Sequence, residues 1–264
     1  MLLLLAASLP SLLGSGPAPE GCVAAPTPKV NMRANVARAT SSPWVDSNAA
    51  RYIRHPEAKY CVEAPGKSSA LAAAEAFAYG VTAWIRSADG SADFARMLDF
   101  LKSLPPVPEL PAMVNVGVVD DGSPGLTELL NLLARRNLLF KVLKTPDPKL
   151  QVNVTGPHKP DPSQEAYEIR QKVGDSKRLL RVYGSEVVVG HLTGDAKRVR
   201  LHLLNYSPRS VNGVRIRMLG NFPKGELKLF GDPKAQLVDY AANSDATEFT
   251  IPTLNEYAVV DLAK

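Results

Sequence analysis

The sequence predicts an α/β half followed by an all-β half that closes into an antiparallel β-sandwich. Two observations predict this. Between Lys59 and about residue 144, apolar strand-like runs alternate with helical patterns, the mark of parallel sheets. Beyond about residue 175, eight short apolar runs recur at near-regular spacing, separated by Gly, Asn, Asp and Pro.

The N-terminal stretch MLLLLAASLPSLLGSGPAPEGCVAAP places small residues after a short leucine-rich run and reads as a secretory signal. It is too short to span a bilayer, and no later segment reaches about 18 consecutive apolar residues. No membrane span is expected, and the location expected is extracytoplasmic or secreted; it becomes cytoplasmic if the chain is a gene fragment. Residues 17 to 31, rich in Pro and Ala, read as a linker.

KYCVEA then reads as a strand. SSALAAAEAFAYG reads as a helix with Ser68 or Ser69 as N-cap and Gly80 as its stop, and VTAWI as a second strand. SADFARMLDFLKSL follows as an amphipathic helix capped by Ser91, with Phe94, Met97, Leu98 and Leu101 on one face. The Pro-rich PPVPELP at 105 to 111 marks a boundary. A buried strand ending at Asp120-Asp121, a turn, a helix through Arg136 and another strand come next. Residues 145 to 163 hold five prolines without periodicity and read as a connector. The eight sandwich runs begin with LLRVYG and end with YAVVDLA; in one of them, Val214 to Met218, apolar and charged residues alternate as on a sheet with one wet face.

At 264 residues the chain is long enough for one large or several small cores. Its 45% apolar and 22% charged residues are those of a globular protein rather than a disordered one. The net charge of +5 is mild and dispersed. The densest basic clusters, 177 to 181 and 197 to 200, interleave with apolar residues and read as solvated sheet faces, so no nucleic-acid partner is expected. Two cysteines, Cys22 and Cys61, are too few for a disulfide framework or a four-ligand zinc site, and Cys61 inside its apolar run reads as a small buried hydrophobe. The histidines His55, His158, His191 and His202 lack metal-ligand spacing, and the last two fall on sandwich strands. No metal or cofactor is expected. Trp44, Trp84, Tyr183, Tyr206, Tyr240 and Tyr257 have the rings to stack on sugars, although core packing is the commoner fate of such residues. NVT (153 to 155) and NYS (205 to 207) are formal glycosylation sequons.

Two chemical readings compete at residues 59 to 85. Gly66-Lys67-Ser68 supplies the second half of a phosphate-binding loop, and Asp120 imitates the acidic strand end that holds magnesium in such proteins. The first glycine of that loop would stand at position 61, which is Cys61, so a nucleotide-binding module is the weaker alternative. The other reading concerns Glu63, a carboxylate at the C-terminal end of a strand, where a (β/α)₈ barrel keeps its chemistry. The plainer assignment for Glu63 is a surface carboxylate.

YCVEA followed by SSALAAAEAFAYGVTAWI resembles the seventh strand, last crossover and eighth strand of retaining β-galactosidase-type glycoside hydrolases such as family 42. The Ala-x-Gly element of that family matches Ala78-Tyr79-Gly80. VNVGVVDDGS and LTELLNLLARRN resemble the start of the flavodoxin-like trimerisation domain of those enzymes. VRLHLLNYSPRSVNGVRIRMLG with ATEFTIPTLNEYAVVDL resembles their terminal β-sandwich. The resemblance spans roughly residues 41 to 264. Taken with the signal-like start, it implies four parts: a signal-like segment and linker (1–30), a partial barrel-like segment (31–104), a reduced flavodoxin-like segment (105–160) and an antiparallel β-sandwich (161–264).

The resemblance also implies that Glu63 stands at the nucleophile position, that the ligand is a carbohydrate and that the chain forms a homo-oligomer. Retaining hydrolysis needs a second carboxyl group about 5–5.5 Å away. In the family this acid belongs to an Asn-Glu pair on an earlier strand. The only earlier glutamates here are Glu20 and Glu57, neither preceded by Asn. The expectation is therefore a truncated or decayed relative acting as a non-catalytic accessory, assembly or glycan-contacting module. The alternative is a glycoside hydrolase that uses Glu63 and an acid supplied from elsewhere.

Overall fold

The computed structural model describes residues 18–32, 43–87, 90–107 and 110–264. The leucine-rich start of the signal-like segment lies outside these residues. The architecture is α/β followed by a β-rich half, as the two periodicities predict.

The first unit comprises β1 (Val23–Ala24), β2 (Lys29–Met32), β3 (Pro43–Asp46), α1 (Ala49–Arg54), β4 (Lys59–Ala64), α2 (Gly66–Ala78), β5 (Thr82–Ser87) and α3 (Ala92–Ser103). Its parallel sheet has the order β1-β4-β5, and β2 pairs with β3. The stretch read as a linker is thus part of the fold. Its Cys22 forms a disulfide with Cys61 across a Cα–Cα distance of 5.7 Å. Cys61 is therefore a half-buried cross-link rather than a small buried hydrophobe; its outward neighbours on the strand hide a partner 39 residues away.

Helix α2 is built on alanines and is buried on nearly its whole circumference, from Ser69 to Ala76. A helix apolar all round belongs between layers rather than on a surface. It packs against β4, β5, α3 and one strand of the sandwich. Its N-cap is Pro65, not Ser68 or Ser69. The backbone turns in one step earlier: the Ser68 amide bonds the Pro65 carbonyl at 3.0 Å and the Ser69 hydroxyl donates to the Gly66 carbonyl at 2.6 Å. Gly80, at φ +66°, ends the helix as expected. Ser91 caps α3 by accepting from the Asp93 amide at 3.2 Å.

The second unit holds β6 (Val116–Val119), α4 (Pro124–Arg135), β7 (Phe140–Leu143), β8 (Val152–Val154) and α5 (Pro162–Val173). The parallel order β7-β6-β8 places the first strand in the middle, as in one half of a doubly wound sheet. The span read as a connector carries β8 and the start of α5. A three-residue strand is too short to show a period, and Pro162 sits in the first turn of the helix, where its missing N–H costs nothing.

The sandwich uses β9 (Leu180–Tyr183), β10 (Val188–Gly194), β11 (Arg198–Asn205), β12 (Val211–Leu219), β13 (Lys224–Leu229), β14 (Val238–Ala242), β15 (Ala246–Leu254) and β16 (Tyr257–Ala263). Its two sheets run β10-β11-β16-β13 and β14-β15-β12-β9. Leu201, Leu203, Ala258 and Val260 face the second sheet, whereas Leu204, Tyr257 and Val259 join the core of the first unit. The first of these sheets is therefore covered on both faces. The Pro-rich break does not hang free: the Met113 amide donates to Leu192 and the Gly194 amide to Pro111, both at 2.9 Å.

Candidate functional site

Glu63 projects outward from β4, whose Tyr60, Val62 and Ala64 alternate inward. The parallel register sets Glu63 opposite Arg86 of β5, and the two side chains form an ion pair at 2.6 Å with 60% and 49% exposure. The carboxylate stands at the C-terminal end of its strand on an open surface. Lys67, in the first turn of α2, reaches Glu256 of the sandwich at 3.4 Å. Asp120 is also engaged, because Arg54 of α1 binds both of its oxygens at 2.6 and 2.7 Å. That hydrogen bond holds the Asp120 carboxyl below the usual range. Asp121 accepts from the Ser123 amide at 2.9 Å, which starts the turn into α4 and lowers its pKa too. Beside it, His158 contacts Glu165 at 3.1 Å and fastens the β8–α5 loop. Among the described residues no group of three His, Cys, Asp or Glu side chains is arranged to hold a metal, and no helix is long and apolar enough to cross a membrane.

The most perturbed carboxyl group is one that sequence reasoning missed. Glu75, in the middle of α2, is 0% exposed. It accepts from Tyr206 Oη at 2.5 Å, from the Asn48 amide at 2.7 Å and from Asn48 Nδ2 at 3.0 Å. Burial raises its pKa to about 7 in spite of those donors. It ties α1, α2 and the end of β11 together. The signal was present as a lone acid in the apolar run LAAAEAFA.

A second buried cluster lies next to it. The register pairs His191 of β10 with His202 of β11. Tyr79 stacks near His191 at 4.4 Å, and His202 Nδ1 meets the Tyr257 hydroxyl at 2.6 Å. Burial pushes His191 down to about 4 and His202 well below the ordinary imidazole value, so both are neutral at pH 7. These groups hold two layers together, and the cavity beside Tyr79 and His191 has a volume of about 10 Å³.

The aromatic residues divide as their environments dictate. Trp84, Tyr206 and Tyr257 are core residues. Trp44 lies under the Arg135 guanidinium at 3.7 Å, and Tyr240 stacks on Phe249. Tyr183 is 36% exposed, with Arg181 over its ring at 4.9 Å. Of the two sequons, Asn205 is 1% exposed and spends its amide on the Arg209 and Leu254 carbonyls, so it presents nothing to a glycosyl donor. Asn153 is likewise bonded at both ends, to the amide and carbonyl of Asp147.

The chain matches no protein-family model, and no curated protein matches it in sequence. Among solved structures it is similar to α-L-fucosidase isoenzyme 2 from Paenibacillus thiaminolyticus, with a TM-score of 0.58 at 9% identity, over 81% of this chain and 62% of that one. At that identity the likeness is one of fold alone. The chain spans about three-fifths of that enzyme's length, and the similarity is to a fucosidase rather than to a family 42 enzyme.

Proposed function

We propose that the chain is an exported, non-catalytic module related to glycoside hydrolases, which contacts glycans or assembles with them in place. The observation that carries this reading is the setting of Glu63. It lies on the open face of a three-stranded sheet and is neutralised by Arg86, whereas a retaining nucleophile works in a pocket facing a second carboxyl group. The likeness of fold to a glycoside hydrolase supports a carbohydrate ligand, and the β7-β6-β8 order supports a reduced flavodoxin-like unit. The Cys22–Cys61 disulfide together with the leucine-rich start supports an oxidising, extracytoplasmic location.

Retention on polysaccharide affinity gels, with no turnover of 4-nitrophenyl α-L-fucoside or β-galactoside, is the expected result. Turnover that disappears in Glu63→Gln would replace this reading with the hydrolase alternative, which the strand-end position of Glu63 favours. Turnover that persists in that variant would remove Glu63 from any mechanism. ATP and GTP should show no saturable binding, because Lys67 faces Glu256 and both Asp120 oxygens are occupied. Mass analysis after thiol alkylation should find Cys22 and Cys61 blocked in protein recovered outside the cytoplasm; free thiols in cytoplasmic protein would overturn export.

A further inference from the structure

We propose that a cleft between the helical layer and the sandwich loops binds a single acidic sugar residue, its carboxylate held by Lys67, Arg96 and Arg209. This inference rests on the glycan-contacting reading above and gives it a place. The cleft encloses about 240 Å³ and is walled by the starts of α2 and α3, the β11–β12 loop and the tight turns after β13 and β15. Ligand pockets for drug-sized molecules run to roughly 300–1,000 Å³, so this volume suits one sugar ring rather than a chain.

The walls are already organised. Asn205 accepts from the Ser207 amide at 2.9 Å and donates to the Arg209 carbonyl at 2.9 Å. Asn255 donates to the Phe230 carbonyl at 3.0 Å and accepts from the Ser210 hydroxyl at 2.8 Å. The loops thus satisfy their own polar atoms, and among the charged groups Arg209 is left to meet a ligand. Three of those groups are cations and one, Glu256, is a carboxylate. Glu256 pairs with Lys67, and Arg96 is shared between Asp93 and the face of Phe230, 6.0 Å from the ring centroid. The Arg209 guanidinium has no side-chain partner among the described residues. The surplus of positive charge calls for an anionic ligand, and Glu256 offers an acceptor for ring hydroxyls. A bare anion would leave that carboxylate opposed, which is why a sugar acid fits better than an inorganic ion.

The test titrates the ¹⁵N-labelled full chain with sodium galacturonate, galactose and sodium sulfate at equal ionic strength. Galacturonate should shift the amides of residues 207 to 210, 231, 255 and 256 and saturate. Galactose should bind at least tenfold more weakly, and the double variant Lys67→Ala, Arg209→Ala should lose at least tenfold in galacturonate affinity. Both replaced side chains are exposed, and an unchanged spectrum elsewhere will report that the variant is folded. Sulfate binding as tightly as galacturonate, undiminished binding by the variant, or no saturable shift would each overturn the proposal. If galacturonate fails while the chain is still held by a neutral polysaccharide gel, the cleft falls and the broader reading stands. If neither is bound, both fall.

Discussion

The two sheets of the sandwich have the same number of strands and the same antiparallel pairing, yet they answer to different rules. In β11 every residue from Val199 to Asn205 is buried, whereas β12 alternates buried Val214, Ile216 and Met218 with outward Arg215 and Arg217. The outward row of β12 is solvated and linked by ion pairs from Arg215 and Arg217 to Glu248. The outward row of β11, Arg200, His202 and Leu204, is instead covered by the first unit. Arg200 binds both oxygens of Asp261 there at 2.6 Å. A strand without alternation therefore marks a sheet that serves two cores. It is also where the buried Glu75 and His202 are found, so the perturbed chemistry of this protein lies between layers.

The largest test of that contrast removes the brace on the covering unit. Replacing Cys22 and Cys61 with Ser releases a loop closed over 39 residues and should cost about 4 kcal/mol in denaturant melts. Amide exchange should then rise in β10 and β11 before β12 and β15; equal loss of protection in both sheets would show that the covering layer is no separate support. Leu204→Ala truncates a fully buried side chain on the covered face and should cost about 3 kcal/mol, within the usual range for such core deletions.

The pH dependence sharpens the same point. Glu75 has a folded-state pKa of about 7 against 4.5, so its contribution is complete below pH 4.5 and is lost as pH rises through 7. That shift corresponds to a penalty of about 3 kcal/mol at high pH. His191, lowered from 6.5 to about 4, acts in the opposite sense: its contribution is complete above pH 6.5 and is lost as pH falls through 4. His202 acts in the same direction as His191. Two imidazoles outweigh one carboxyl between pH 4.5 and 6.5, so stability should rise with pH there. Glu75→Gln should steepen that rise and flatten the decline above it; unchanged urea midpoints across pH would show that Glu75 does not titrate with folding. On the wet sheet, Arg215→Ala should leave the urea midpoint nearly unchanged, because an exposed ion pair contributes little.

These contrasts explain what the sequence made legible. All eight sandwich strands could be read, because Gly, Asn, Asp and Pro punctuate them at each turn, and α3 could be read from its apolar stripe and Ser91. Helix α2 was legible as a helix, but its alanines have no polar face to betray their depth, and Glu75 passed as an ordinary charge. The disulfide was invisible because pairing depends on β1 lying beside β4, a contact that no local pattern encodes. Short β8 disappeared among prolines. Glu63 was correctly found at a strand end; what surrounds it, Arg86 in register, depends on the parallel pairing of β4 and β5. The cleft could not be read at all, since Lys67, Arg96 and Arg209 come from three separate elements.

The Pro-rich strip beside β10 carries a last consequence. Four outward groups of that strand are the Val188 and Leu192 carbonyls and the Gly190 and Gly194 amides. Each is already met, by Asn137 at the first end and by Pro111 and Met113 at the other. An incoming strand from another copy would find these four groups already occupied. The molecule thus guards part of one edge of its own ladder. Strand addition at β10 would have to displace these contacts first.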